Sequence, residues 1–276
     1  MTGDDTTVLL TEQVDRVRLI TFNRPEKRNA WSDELSVAYA AALADADRDP
    51  AVRVIVVAAA GSTFCVGGDM EDLKTFAAER TFARKNVRRS APWETTRVRK
   101  PVVAAIQGAC AGIGFAHALA CDVRFAAMDA RFTTTYARRG LPAESGVAWL
   151  LPRVIGMSAA VDLLLSARVI GAAEAMRLGL VAQVIEGDEV LSEALRYAHD
   201  LARSCSPKAM QTIKEQLWAG QETVSFELSA VSADQLAERF LTDSDDVMEG
   251  VSSFVEKRPP EFGSLPRSDP PAATKA

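Results

Sequence analysis

The chain has 276 residues, 48% of them hydrophobic and 25% charged, which excludes a disordered protein and suffices for one or two globular domains. A formal net charge of −5, with basic residues dispersed except over 84–89 and 97–100, argues against a nucleic-acid groove. The start of the chain is acidic and polar rather than basic then apolar, and no run is long enough to span a bilayer, so neither export nor membrane insertion is expected.

Residues 7–13 and 14–23 alternate like paired strands, with 12–15 as the turn between them. Pro25 stops extension, Ser32 is placed to cap a helix with Asp33 and Glu34 in its first turn, and 35–47 follow with helical spacing of apolar residues. Residues 52–60 are wholly apolar between Pro50 and Gly61, which suits a strand buried on both faces. A charged helical segment over 82–98, an apolar strand over 101–107, a helix over 112–120 and a strand over 122–127 continue the alternation. The class is therefore α/β. Beyond 130 come helices punctuated by Gly156, Gly171 and Gly179, a short strand over 181–185, and then helices over 192–204, 207–219, 223–239 and 244–257, ended by Pro259 and Pro260. The expected organisation is an α/β core over 1–190, a helical region over 191–262 and a disordered tail over 263–276.

Two glycine segments carry the chemistry. Phe64-Cys65-Val66-Gly67-Gly68-Asp69 follows one apolar strand, and 107–115, containing Gly108, Gly112 and Gly114, follows the next. Two such loops can aim backbone N–H groups at one point, where fixed donors stabilise negative charge developing on a carbonyl oxygen without having to reorganise. The plain structural alternative is that the glycines only permit tight packing of strand against helix.

Together with Phe22-Asn23-Arg24-Pro25-Glu26-Lys27-Arg28-Asn29-Ala30, Ala120-Cys121-Asp122-Val123-Arg124, 140–156 and Phe254-Val255-Glu256-Lys257-Arg258, these segments resemble the crotonase superfamily, the enoyl-CoA hydratases and isomerases, in order along the chain from about residue 9 to 262. The resemblance implies a spiral of ββα units, a helical C-terminal region that packs homotrimers or dimers of trimers, and a coenzyme A thioester as substrate, with no prosthetic group. It implies an oxyanion hole from the N–H groups of Gly68 and Ile113. It further implies coenzyme A contacts from Lys27, Arg28, Ala30 and Val66, and from Phe254 and Lys257 on a neighbouring C-terminal helix. A solvated surface charge is the alternative for each basic residue.

The acid–base residues depart from the hydratase pattern. The two positions where a two-glutamate hydratase carries its carboxylates are Ala116 and Tyr136 here, so water addition loses both of its acids. Glu144, within Gly140-Leu141-Pro142-Ala143-Glu144-Ser145-Gly146, instead matches the single catalytic glutamate of the peroxisomal-type Δ3,Δ2-enoyl-CoA isomerases. One base suffices to shift a double bond, and an apolar pocket would raise its pKa toward the operating pH. Alternatively, Glu144 caps a helix starting near Ser145. His117 and Tyr136 are accessory candidates that could equally be packed core residues. Asp69 is expected to cap a helix and Asp122 to be structural. Cys65, Cys110, Cys121 and Cys205 have neither metal spacing nor a base partner, so reduced thiols in a cytoplasmic protein without a metal are expected. The sequence thus points first to enoyl-CoA isomerisation, then to enoyl-CoA hydration or another acyl-CoA reaction, and, outside enzymes, to acyl-CoA binding without turnover.

Overall fold

The computed structural model describes residues 7–71, 91–186, 189–221, 223 and 225–267. Strands β1 (Leu9–Val14) and β2 (Val17–Phe22) pair antiparallel, Leu9 opposite Phe22 and Val14 opposite Val17. Their turn lies at Asp15 and Arg16, later than the expected 12–15. Asp15 takes φ +50°, a conformation its short side chain tolerates, and Gln13 Nε2 donates to its carbonyl at 2.6 Å. The polar residues Glu12 and Gln13 belong to an exposed edge strand rather than to the turn.

Helix α1 (Asp33–Arg48) begins as expected, with the Ser32 hydroxyl accepting the Leu35 N–H at 3.2 Å, and buries Leu35, Tyr39, Ala42, Leu43 and Ala46 on one face. It leads into β3 (Val54–Ala59). Of the helical segment expected over 82–98, residues 82–90 lie outside the described residues, and its end forms α2 (Pro92–Arg97). Next come β4 (Val102–Ile106), β5 (Ala109–Ala111), α3 (Gly112–Ala120), β6 (Val123–Ala127), β7 (Arg131–Thr133), α4 (Val147–Ile155), α5 (Met157–Ser166), β8 (Ile170–Gly171), α6 (Ala172–Arg177) and β9 (Gln183–Ile185). The C-terminal helices are α7 (Val190–Ser204), α8 (Pro207–Gln221), α9 (Phe226–Asp243) and α10 (Asp246–Glu256).

One sheet has the order β1-β2-β3-β4-β6-β9, parallel after its first pair, and a smaller one has the order β5-β7-β8. Burial on two faces explains the unbroken apolar runs. Ile55, Val57, Val102 and Ala104 face the main core with α1 and α3, while Val54, Val56, Val103 and Ala105 face α7. On α7, Val190, Ala194, Ala198 and Ala202 recur every fourth residue, and the small alanines let the helix lie close against the strands. The smaller sheet is absent from the sequence expectations because strands of two or three residues are too short to show a period. Its first strand starts three residues after β4 ends, so the chain steps from one sheet to the other within a single ββα unit. This is the α/β spiral that the resemblance implies.

Asp122 ties the C-terminal helices to the core. Its carboxylate accepts the Val102 N–H at 2.7 Å and the Lys214 ammonium of α8 at 2.7 Å, and Lys214 also donates to the Lys100 carbonyl at 3.1 Å. Of the segment expected to be a tail, 263–267 carry no regular secondary structure but bury Leu265, and 268–276 lie outside the described residues. No helix among the described residues is long and apolar enough to cross a membrane.

Candidate active site

The two glycine segments run side by side. Phe64 N–H donates to the Gln107 carbonyl at 2.8 Å, Cys65 N–H to Ala109 at 3.0 Å, and Ala111 N–H back to Cys65 at 2.9 Å, so Cys65 and Cys110 form a parallel bridge. Gly114 permits the closeness, because a methyl there would stand 2.5 Å from the Cys65 Cβ. Both thiols are buried and burial pushes them up, Cys65 to about 12, so neither is a nucleophile at neutral pH.

A second bridge fixes Gly68. Trp31 N–H donates to the Gly67 carbonyl at 2.8 Å and Asp69 N–H to the Trp31 carbonyl at 3.0 Å, which is the parallel pattern in which Gly68 turns its own N–H away from Trp31. Gly67 adopts φ +107°, and a methyl on Gly112 would lie 3.5 Å from the Gly67 Cα. Gly112 opens α3, so the Ile113 N–H has no acceptor within the helix and lies at the positive end of the helix dipole. Two backbone donors, Gly68 and Ile113, thus belong to loops in van der Waals contact.

The segment 24–30 braces this loop in a way the sequence did not reveal. Asn29, fully buried at φ +52°, accepts the Arg24 N–H at 2.8 Å and donates to the Ala60 and Thr63 carbonyls at 2.8 and 2.7 Å. Arg24 reaches the Ala30 carbonyl and pairs with Asp69 at 3.0 Å. Burial alone would raise the Asp69 carboxyl, but the Glu71 N–H, Arg24 and Lys27 together hold it below its ordinary value. Its other oxygen accepts the Glu71 N–H at 3.1 Å at the start of a helix, the capping role expected of it. The advance signal for Asn29 and Arg24 was their place beside Pro25 in the segment 22–30 that carries the resemblance, which assigned neither of them a role.

The expected coenzyme A residues fall into two groups. Ala30 sits opposite Gly67 in the bridge register, Val66 is the adjacent half-buried residue, and Lys27 and Arg28 are exposed on the same turn. Lys27 lies 3.4 Å from Glu71 and 3.8 Å from Asp69. Phe254 and Lys257 stand apart at the end of α10, Phe254 85% exposed and Lys257 at the left-handed C-cap, and among the described residues no hydrogen bond or ion pair joins their side chains to the first group.

Tyr136 is 3% exposed, with its hydroxyl 3.5 Å from the Gly112 carbonyl at the base of the donor loop. Burial first, then the charge of Glu144, raises its phenol well above the ordinary value, so it stays protonated and lies within electrostatic reach of that carboxylate. Glu144 is exposed, yet partial desolvation raises its carboxyl. The rise is modest, since an exposed carboxyl keeps much of its hydration. Gly146 is the N-cap of α4, with no side-chain cap bond, so Glu144 does not cap that helix. The segment between is bracketed by Thr135 at φ +61° and Ser145 at φ +58°; for a β-branched residue such as Thr135 this costs on the order of 1–3 kcal/mol. Ala116 is buried in α3 and supplies no acid. His117 points into the core, stacked on Trp31 at 4.0 Å and edge-on to Tyr39 at 5.3 Å, with both ring nitrogens unpartnered among the described residues and burial lowering its pKa to about 3. It is a neutral packing residue. The described residues hold no cluster of three or more metal-ligating side chains.

The family model for enoyl-CoA hydratase/isomerase matches residues 12–265. The mevalonyl-coenzyme A hydratase of Beauveria bassiana is 34% identical over 253 residues, 88% of this chain and 90% of the relative. The 1,2-epoxyphenylacetyl-CoA isomerase of Escherichia coli is 32% identical over 256 residues, 89% of this chain and 94% of the relative. Among solved structures, an enoyl-CoA hydratase from Mycobacterium tuberculosis superposes with a TM-score of 0.83 at 30% identity, covering 93% of this chain and 98% of that one. With the paired glycine loops and the ββα spiral, these likenesses place the chain in the enoyl-CoA hydratase/isomerase family of the crotonase superfamily.

Proposed function

We propose that the chain shifts the double bond of an enoyl-CoA thioester, with Glu144 as its acid/base and the Gly68 and Ile113 N–H groups holding the thioester oxygen. The observation that carries this reading is the position of Glu144: its charge reaches Tyr136, and Tyr136 in turn contacts the Gly112 carbonyl beside the donor loop. Glu144 takes the proton from C2 of a 3-enoyl-CoA. The C2–H electrons pass into a dienolate; the same carboxyl, exposed so that its proton exchanges with water, then protonates C4, the C3–C4 π electrons forming the new C4–H bond as the dienolate collapses to the C2–C3 double bond and the thioester carbonyl. The negative charge rests meanwhile on the thioester oxygen, where two fixed donors favour the transition state. A raised carboxyl is suited to both halves of the transfer.

Hydration is the second reading, favoured by a relative named a hydratase at 34% identity. With Ala116 and Tyr136 at the family's two carboxylate positions, Glu144 would then have to activate the water unaided. The coenzyme A moiety belongs with Lys27, Arg28, Ala30 and Val66. Exposed apolar residues on α9 and α10, among them Phe226, Leu228, Met248, Val251 and Phe254, support a trimer that would carry Phe254 and Lys257 to a neighbour's nucleotide. A cytoplasmic location accords with three buried, reduced cysteines. Incubation with a 3-enoyl-CoA in deuterated water tests the reaction: isomerisation gives a 2-enoyl product labelled at carbon, hydration of a 2-enoyl-CoA gives a 3-hydroxyacyl product, and tight binding without turnover overturns both.

A further inference from the structure

At the end of the main sheet away from the glycine loops, the described residues enclose a cleft of about 790 Å³ lined by Asp15, Arg16, Arg53, His199, Arg203 and Glu261, among others. Arg53 directly precedes β3 and the first glycine loop follows that strand, so six residues at about 3.3 Å each separate the two places. This cleft is no part of the proposed acyl-CoA site.

Arg53 is 3% exposed, and among the described residues no carboxylate lies within ion-pair distance of it. Its terminal nitrogens donate to carbonyls only, to Ala202 at the end of α7 at 2.9 Å and to Phe262 in the C-terminal segment, and its Nε is buried without a partner. A buried cation is costly unless a negative group compensates it. Nothing nearby does so fully. Asp246 opposes the depression of the Arg53 pKa, but its carboxylate is bonded to the Ser206 hydroxyl. Burial first and Arg16 second lower that pKa, which marks two guanidinium groups facing each other's charge. Among the described residues Arg16 has no ion-pair partner either, while Arg203 has only an exposed contact with Asp200 at 3.8 Å. Asp15 and Glu261 are exposed, and neither comes within ion-pair distance of Arg16 or Arg53.

We infer that this cleft binds a phosphate group, free or carried on a small molecule, with Arg16 and Arg203 as its donors and the uncompensated charge of Arg53 in the wall behind them. The planar guanidinium of each of these two arginines meets an oxyanion with paired N–H groups in a fixed direction, and the cleft is wider than a single ion requires. Asp15 and Glu261 stand at its edge, where the three arginines of the lining outnumber them.

The full-length protein is titrated with inorganic phosphate in one arm and glycerol 3-phosphate in the other, following the Arg53 side-chain Nε–H resonance and the affinity by calorimetry. The expected result is a saturable shift of that resonance, with the tighter arm identifying the source of the phosphate, and affinity about tenfold weaker in Arg16→Gln. Arg16 is exposed on a turn, so this variant folds even if Arg53→Lys, which loosens the ties to α7 and the C-terminal segment, does not. An Arg53 resonance unmoved by both ligands, or equal affinity in wild type and Arg16→Gln, overturns the inference.

Discussion

Trp31 grips the loop on both sides of Gly68, donating to the Gly67 carbonyl at 2.8 Å and accepting the Asp69 N–H at 3.0 Å. The grip sets the direction of the Gly68 N–H, and φ +107° at Gly67 is what lets the backbone take that path. A methyl at Gly67 meets nothing closer than the Ala111 carbonyl oxygen at 3.5 Å, so Gly67→Ala acts through backbone strain rather than through a clash. With Gly68 in its proposed role as one of two oxyanion donors, losing that alignment should lower kcat by about a hundredfold or more. The check is kcat and KM together with circular dichroism: a folded variant with unaltered kcat removes Gly68 from the catalytic assignment.

The same loop is braced from below by Asn29, whose fully buried amide nitrogen donates to the Ala60 and Thr63 carbonyls. Asn29→Asp keeps the acceptor for the Arg24 N–H but sets a carboxylate against the Ala60 and Thr63 carbonyls. Unfolding in urea should report a loss of about 3 kcal/mol, the order expected when buried acceptors lose their donor and a charge is left unpaired. A change below about 0.5 kcal/mol would mean that the brace carries no weight.

On the proposed role of Glu144 as proton shuttle, Glu144→Gln should lower turnover by at least about a hundredfold while leaving thioester affinity within a few fold. The wild type carries a pH signature. Because the Glu144 carboxyl is raised, the base is lost as pH falls through a value above the ordinary 4.3 or so of glutamate, and kcat/KM declines on the acid side from there. A wild-type profile flat to about pH 4.5, or Glu144→Gln with near-normal turnover, sinks the assignment.

What the sequence disclosed about this site follows a physical division. Apolar runs such as 54–59 and 102–106 are readable because both faces of the sheet are buried, and Gly67, Gly68, Gly112 and Gly114 because tight backbone approach tolerates little else. The Asn29 brace and the Arg24–Asp69 pair were not readable, since each depends on a turn geometry that brings together residues 31 to 45 positions apart. His117 was left open between site and core because an imidazole in an apolar helix fits either, and only its neighbours, Trp31 and Tyr39, decide.

Those neighbours make His117 a stability switch. With both nitrogens unpartnered and a pKa lowered to about 3, it remains neutral in the fold while the unfolded chain protonates it near pH 6.5. Between these values the unfolded state binds the extra proton, so ΔG of unfolding rises with pH; stability from this group is complete above about pH 6.5 and drains away as pH falls toward 3, by at most about 1.4 kcal/mol per unit. His117→Phe keeps the stack on Trp31, removes two unsatisfied polar atoms and abolishes that dependence. The variant should be more stable than wild type by about 1 kcal/mol at pH 7.5 and by a larger margin at pH 5.5. Urea unfolding at the two pH values measures it, and an equal margin at both would show that the imidazole finds a partner or a proton within the folded core.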